Sequence, residues 1–242
     1  MLGHQLVVVS DAHVDHGSDI EPLLTFFEAV PTLGDCLLIN GDLFEFWFSY
    51  HRVIPRTGFL VAASLAMLRR KMPIIMTGGN HDRWGHSFWR EDAKIEFSPG
   101  EVGFRVGPWS ILAAHGDGLT EMSRTASVTH SIITHPFTAR AFGWLHPDAG
   151  LWLVDRLGGH LADNTNHPTA LLRAEARQVA WAANRLSADP ALDLLILSHT
   201  HRPCLVEPVP GRRLLNPGAW VEGRRYAVVS AAGAELRQFE AQ

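Results

Sequence analysis

Acidic and imidazole side chains recur along this sequence at short spacings, and each cluster follows a short apolar run. Val7-Val8-Val9 leads into Ser10-Asp11-Ala12-His13, Cys36-Leu37-Leu38-Ile39 into Asn40-Gly41-Asp42, and Ile74-Ile75-Met76 into Gly78-Gly79-Asn80-His81-Asp82. Ile111-Leu112-Ala113-Ala114 leads into His115-Gly116-Asp117, and Leu194-Leu195-Ile196-Leu197 into Ser198-His199-Thr200-His201. Asp11 and His13 are two apart, so on extended backbone they face the same way and can grip one ion, and His199 with His201 repeats the geometry. Isolated, either pair is a weak signal. All of the sets together, with no Cys among them, suit Mn, Fe, Zn or related ions in octahedral or five-coordinate sites rather than a structural thiolate zinc. Asp42 is the best candidate to be shared between two metals.

The elements that must carry these residues follow from the runs themselves. A buried strand that ends in a polar turn delivers that turn to the crevice at a sheet's carboxyl edge, where α/β proteins place their ligands. Residues 5–9 read as the first strand. Asp19 reads as the N-cap of a helix through about residue 29, with Pro22 in its first turn. Residues 41–57 are rich in aromatics (Phe44, Phe46, Trp47, Phe48, Tyr50) without clean periodicity, which marks an active-site loop. Residues 59–71 form a helix ending in Arg69-Arg70-Lys71, cations suited to its negative end.

Residues 85–92 are expected as a short helix, and residues 95–98, 102–106 and 109–114 as strands broken by Pro99-Gly100 and Gly107-Pro108. Residues 118–168 mix bulky apolar side chains with His, Arg, Pro136, Pro147 and Gly158-Gly159, which predicts two or three short helices inserted as a cap. A longer helix over 169–186 places Leu172, Ala176, Val179 and Ala183 on one face. Strands near 204–207, 213–215, 225–230 and 235–239 complete the chain.

The composition sets outer limits. A chain of 242 residues with a hydrophobic fraction of 46% has ample material for a packed core, and the expectation is a single domain over 1–242. The formal net charge of -4 gives no basic footprint for nucleic acid, so no nucleic-acid partner is expected. Cys36 and Cys204 read as small hydrophobes in a reducing compartment rather than as a disulfide. A strand begins almost at the N-terminus, with no signal-like segment, and no apolar stretch reaches 18 residues, so a cytoplasmic protein without a transmembrane segment is expected.

Taken in order, Asp11-x-His13, Gly41-Asp42, Gly79-Asn80-His81-Asp82, His115 and His199-x-His201 resemble the full signature of the calcineurin-like metallophosphoesterases. The resemblance runs from Ser10 to His201. It implies an α/β, four-layer sandwich of two mixed β-sheets flanked by helices, with a dinuclear metal centre at the strand ends. Carried over residue by residue, Asp11, His13, Asp42 and His201 would hold one metal and Asp42, Asn80, His115 and His199 the other, with Asp42 bridging. The cofactors would be two divalent metal ions, manganese foremost, with Fe, Zn, Ni and Mg as alternatives. Two cations roughly 3.5–4 Å apart can activate a bridging water and stabilise charge during in-line attack on phosphorus. His81 is the candidate general acid for the leaving oxygen and Asp82 the group that would orient its ring; the plainer reading of both is as satisfied turn residues.

A narrower resemblance joins Gly41-Asp42-Leu43-Phe44-Glu45-Phe46-Trp47, His115-Gly116-Asp117-Gly118-Leu119 and Ser198-His199-Thr200-His201-Arg202-Pro203 to the UDP-2,3-diacylglucosamine diphosphatase branch. Those enzymes cleave a pyrophosphate and carry a helical cap over an acyl-chain groove. This chain departs from the branch at His81, where Arg is typical, and at Thr120-Glu121-Met122-Ser123, which lacks an acidic pair. The implied substrate is a small-molecule or lipid-linked phosphate, with peripheral membrane contact through a lipid. A broad phosphodiesterase or nucleotidase is the alternative enzyme, and a non-catalytic scaffold of the same fold the alternative class. Phe44, Trp47, Trp84, Trp89, Trp144 and Trp152 have a bland reading as core.

Overall fold

The computed structural model describes residues 1–50, 52–85, 87–119, 135–162 and 168–240. One sheet has the order β11-β10-β1-β2-β3-β4, built from β1 (Leu6–Val9), β2 (Cys36–Asn40), β3 (Ile74–Thr77), β4 (Glu96–Ser98), β10 (Arg225–Ser230) and β11 (Gly233–Gln238). The other has the order β5-β6-β7-β9-β8, from β5 (Val102–Val106), β6 (Trp109–Ala113), β7 (Leu194–Ile196), β8 (Cys204–Val209) and β9 (Arg212–Asn216). Strands β1 to β4 run parallel, as do β6, β7 and β9, while β10, β11, β5 and β8 pair antiparallel at the edges. Both sheets are therefore mixed.

The apolar runs lack polar alternation because both faces of each central strand are covered. Leu6 and Val8 of β1 join Leu38 of β2, Ile75 of β3, Ile111 of β6 and Ile196 of β7 between the sheets. Val7, Val9, Leu37, Ile39 and Met76 point the other way, onto α1 (Glu21–Leu33) and α2 (Phe59–Leu68). Leu112, Leu195 and Leu214 on the far side of the second sheet meet Ala182 and Leu186 of α5 (Pro168–Ala188). Period-two side-chain alternation thus sorts each strand into two cores and makes four layers, helix, sheet, sheet, helix.

Several boundaries differ from expectation for local reasons. The N-cap of α1 is Ile20, and Asp19 instead accepts the Glu21 amide at 3.3 Å. That helix runs to Leu33 through Pro31, which sits in the last turn where a proline removes one hydrogen bond rather than breaking a long ladder. Residues 69–71 lie beyond the end of α2, and Arg69 Nε donates to the Lys94 carbonyl at 2.9 Å. Within 85–92 the helical part is a single π-helical turn, Phe88–Asp92. On α5 Leu172 and Ala176 are exposed, and the buried stripe is Ala174, Gln178, Ala182 and Leu186, spaced four apart.

The expected cap region contains α3 (Pro136–Phe142) and α4 (Pro147–Ala162), while residues 120–134 and 163–167 lie outside the described residues. Phe142 of α3 packs against Phe46, Phe48 and Trp84, with ring centroids 5.6, 5.0 and 5.7 Å away. The aromatic loop therefore divides its labour: Phe44 and Trp47 stack with Trp89 in the core, and Phe46 and Phe48 dock α3. Trp144 and Trp152, whose bland reading was core, are exposed. Among the described residues no helix is long and apolar enough to cross a membrane, and Cys36 and Cys204 are free thiols.

Candidate metal centre

The carboxyl ends of β1, β2, β3, β6 and β7 come together at one edge, and Asn40 at the end of β2 ties those of β3, β6 and β7. Its Nδ2 donates to the Ala114 carbonyl at 2.9 Å and to Ser198 Oγ at 2.8 Å, while its Oδ1 accepts from Thr77 Oγ1 at 3.0 Å. Past the strand ends the backbone turns sharply. Among the described residues the non-glycine positions with positive φ are Asp11, His13, Asp42, His199 and His201, together with Lys94 and Arg224. Asp and His tolerate this region better than most residues, but the left-handed conformation still costs roughly 1–2 kcal/mol each. Such strain concentrated on potential ligands is the pattern of a functional site rather than of a folding requirement.

Close backbone approach needs two glycines here. Gly41 has φ +83°, and a Cβ on it would lie 2.5 Å from His115 Nδ1. A Cβ on Gly79 would overlap the Asp42 carboxylate. With these in place, the Ala12 and His13 amides donate to the Asp42 carbonyl at 2.9 and 3.1 Å, and the His199 amide to Asp11 Oδ1 at 3.2 Å.

Among the described residues three groups of potential ligand atoms result: Asp11, His13 and His201; Asp42, His115 and His199; and, sharing His13 at the rim, His13, Glu45 and His81, with the ligand atoms in each within 4.8 Å of one another. His13 Nε2 and His201 Nε2 stand 3.3 Å apart, and His201 Nε2 is 3.5 Å from Asp11 Oδ1. His115 Nε2 lies 2.9 Å from Asp42 Oδ2 without hydrogen-bond alignment. Asn80 follows Gly79 on the adjoining loop, half-buried. Asp11 Oδ2, Asn80 Oδ1 and His115 Nε2 are buried with no hydrogen-bond partner. A buried polar atom left unpaired costs about 1–3 kcal/mol, so three around one centre fit a set of donors made for cations.

The outer ring nitrogens of His13, His201 and His115 are taken. His13 Nδ1 meets Glu45 Oε2 at 2.8 Å, His201 Nδ1 meets Glu222 Oε1 at 2.7 Å, and His115 Nδ1 faces the Asn40 carbonyl at 2.9 Å. This leaves Nε2 as the inward donor, the usual arrangement of metal-ligating imidazoles. The carboxylates of Glu45 and Glu222, which back two of the candidate ligands, are positions that reading the residue types did not single out. Glu45 lay inside a recognised motif, whereas Glu222 carried no local signal, being brought in by a turn whose Trp220 and Val221 amides bind the Ser10 and Asp11 carbonyls at 3.0 and 3.1 Å.

The expected pairing of Asp82 with His81 does not occur. Asp82 is buried, and its oxygens accept the amides of Gly79, Asp42 and Leu43 at 2.9, 3.3 and 2.8 Å. It fixes the two ligand-bearing loops to each other. His81 is oriented by Glu45 instead, its Nδ1 lying 2.8 Å from the Glu45 carbonyl and its ring edge-on to His13 with centroids 4.9 Å apart.

Electrostatics follow from this crowding. Burial works to raise the Asp42 carboxyl, but the His115 imidazole beside it, with His81 and His13 further off, holds it well below the usual carboxylate range. Burial, reinforced by the Asp42 charge, pushes Asp82 up to about 6. Burial and the positive His115 drive His199 down to about 4. His201 is pushed up to about 9, since its contact with Asp11 and the charge of Glu222 outweigh burial.

Parallel strands in two facing sheets gather carboxylate, amide and imidazole donors at their carboxyl edge, an arrangement suited to a metal-dependent hydrolase. The chain belongs to the calcineurin-like phosphoesterases, whose family model matches residues 4–203. A UDP-2,3-diacylglucosamine hydrolase of Vibrio cholerae serotype O1 is 22% identical over 200 residues, covering 81% of each chain. Another, from Porphyromonas gingivalis, is 21% identical over 256 residues and covers 98% of each. Among solved structures, vacuolar protein sorting 29 from Cryptosporidium parvum is similar over 100% of each chain at 13% identity, with a TM-score of 0.49.

Proposed function

We propose that the chain hydrolyses a phosphoester or pyrophosphate bond with two divalent cations, manganese foremost, held by Asp11, His13, Asp42 and His201 on one side and by Asp42, Asn80, His115 and His199 on the other. The observation that carries this reading is the convergence of unpartnered buried atoms, Asp11 Oδ2, Asn80 Oδ1 and His115 Nε2, on neighbouring strand ends. Bound there, the cations supply activation of water and stabilisation of charge on the phosphoryl oxygens. Asp42 is the shared ligand. His81 donates a proton to the leaving oxygen: with Nδ1 committed to the Glu45 carbonyl, Nε2 is the free atom, and donation from it requires the doubly protonated ring. Asp82 keeps the Asp42 and His81 loops in register.

The substrate is proposed to be a lipid-bearing pyrophosphate of the UDP-2,3-diacylglucosamine kind, met at the cytoplasmic face of a membrane. The activity for which the relatives are named supports it, as does the apolar surface of Phe137, Trp144 and Trp152 on α3, α4 and the turn between them. A panel of acylated UDP-sugars, their deacylated analogues, nucleoside diphosphates, cyclic nucleotides and aryl phosphates, run on metal-reconstituted protein, tests this. Preference for the acylated pyrophosphate is expected. Equal turnover of acylated and deacylated forms would replace it with a broad phosphodiesterase.

A further inference from the structure

Three of the imidazoles around the centre turn their outer nitrogens to acceptors of unequal charge. His13 and His201 each face a carboxylate, Glu45 at 2.8 Å and Glu222 at 2.7 Å, whereas His115 faces the neutral Asn40 carbonyl at 2.9 Å. Both carboxylate-backed rings belong to the group that contains Asp11. Resting on the dinuclear reading above, we infer that Glu45 and Glu222 make the Asp11, His13 and His201 position the first to fill and the last to empty, so that the chain passes through a stable one-metal form.

An ion in that position faces the Asp11 carboxylate directly and two further carboxylates one imidazole away, each drawing on an Nδ1 proton and strengthening Nε2 as a donor. The other position offers His115, His199 and the neutral amide oxygen of Asn80. Asp42 is common to both and does not distinguish them. Asp117 and Asp82 stand near the second group, but Asp117 is matched by Arg83 at 2.6 Å and the Asp82 oxygens are taken by backbone amides.

The side chains of Glu45 and Glu222 are 51% and 59% exposed, so replacing either leaves the core untouched. Glu45 offers His81 its backbone carbonyl, which survives substitution.

Calorimetric titration of the chelator-stripped chain with Mn²⁺ is the test, paired with electron paramagnetic resonance at one equivalent. Two classes of site are expected, with an isolated-ion spectrum at one equivalent rather than that of a coupled pair. Glu45→Gln and Glu222→Gln, which keep an acceptor but remove the charge, should each weaken the tighter class about 10–100-fold and leave the looser one in place. Asn80→Ala should remove the looser class alone. Two indistinguishable sites in the unaltered chain, or weakening of the looser class by the Glu variants, would overturn the inference while leaving the dinuclear reading standing. Failure to bind Mn²⁺ at all would defeat that reading and the inference with it. Circular dichroism of each variant separates these outcomes from misfolding.

Discussion

Asp42 is the residue through which the candidate centre is joined, its carbonyl receiving the Ala12 and His13 amides and its carboxylate meeting His115 and the His81 amide. Asp42→Asn should therefore abolish hydrolysis and lower bound metal at both positions, and two metals per chain in that variant would contradict the shared assignment. His81→Ala should leave metal content intact and reduce turnover about 10²–10⁴-fold, the usual size of a general-acid contribution. The loss should shrink for nitrophenyl leaving groups, and an equal loss for alkyl ones would mean that His81 positions substrate. His201 gives a pH prediction. Its folded value, about 9, lies above the ordinary 6.5, so in the metal-free protein the stabilisation is full below about 6.5 and is lost as pH rises through 9. A cation must displace that proton. Metal affinity should climb by up to tenfold per pH unit from 7 and level off near 9, as read by chelator competition, and a flat profile would remove His201 from the ligand set.

At the scale of elements, the strands were readable because both of their faces are covered, which leaves uninterrupted runs such as Leu6–Val9 ending in a polar turn. Helix faces were harder. The stripe of α5 was misplaced because Gln178, a polar residue, occupies a buried position, where its Nε2 donates to the Ser198 carbonyl at 2.8 Å. No periodicity of apolar residues can show that. The outer carboxylates escaped for a related reason: Glu222 reaches His201 through a turn fixed by tertiary hydrogen bonds, not by spacing. Asp82 carries a charge that points to a side-chain partner, yet its partners are backbone amides, which residue types do not reveal. The Gln178 contact itself predicts behaviour. Gln178→Ala should cost about 1–3 kcal/mol in urea unfolding and lower kcat by loosening the loop that carries His199 and His201. A variant as stable and active as the parent would show that Asn216 Nδ2, 3.3 Å from the same carbonyl, suffices.

Over the whole molecule, two sheets converge on a polar edge, and a helical segment beside it exposes apolar side chains. Trp144 and Trp152 are 88% and 61% exposed, so trimming either to Ala should change stability by no more than about 0.5 kcal/mol. If they meet a lipid tail, the same changes should erode the preference for acylated substrate and spare small aryl phosphates. Each buried methylene would contribute roughly 0.8 kcal/mol, so shortening a chain by four carbons should weaken binding up to about two-hundredfold. We propose this edge as a two-metal hydrolytic centre. Its most direct test is metal content measured beside turnover of an aryl phosphodiester, in protein as purified, stripped by chelator and reconstituted. Two divalent ions per chain, loss of turnover on stripping and its return with Mn²⁺ are the predicted results; undiminished hydrolysis by the stripped chain would contradict the account.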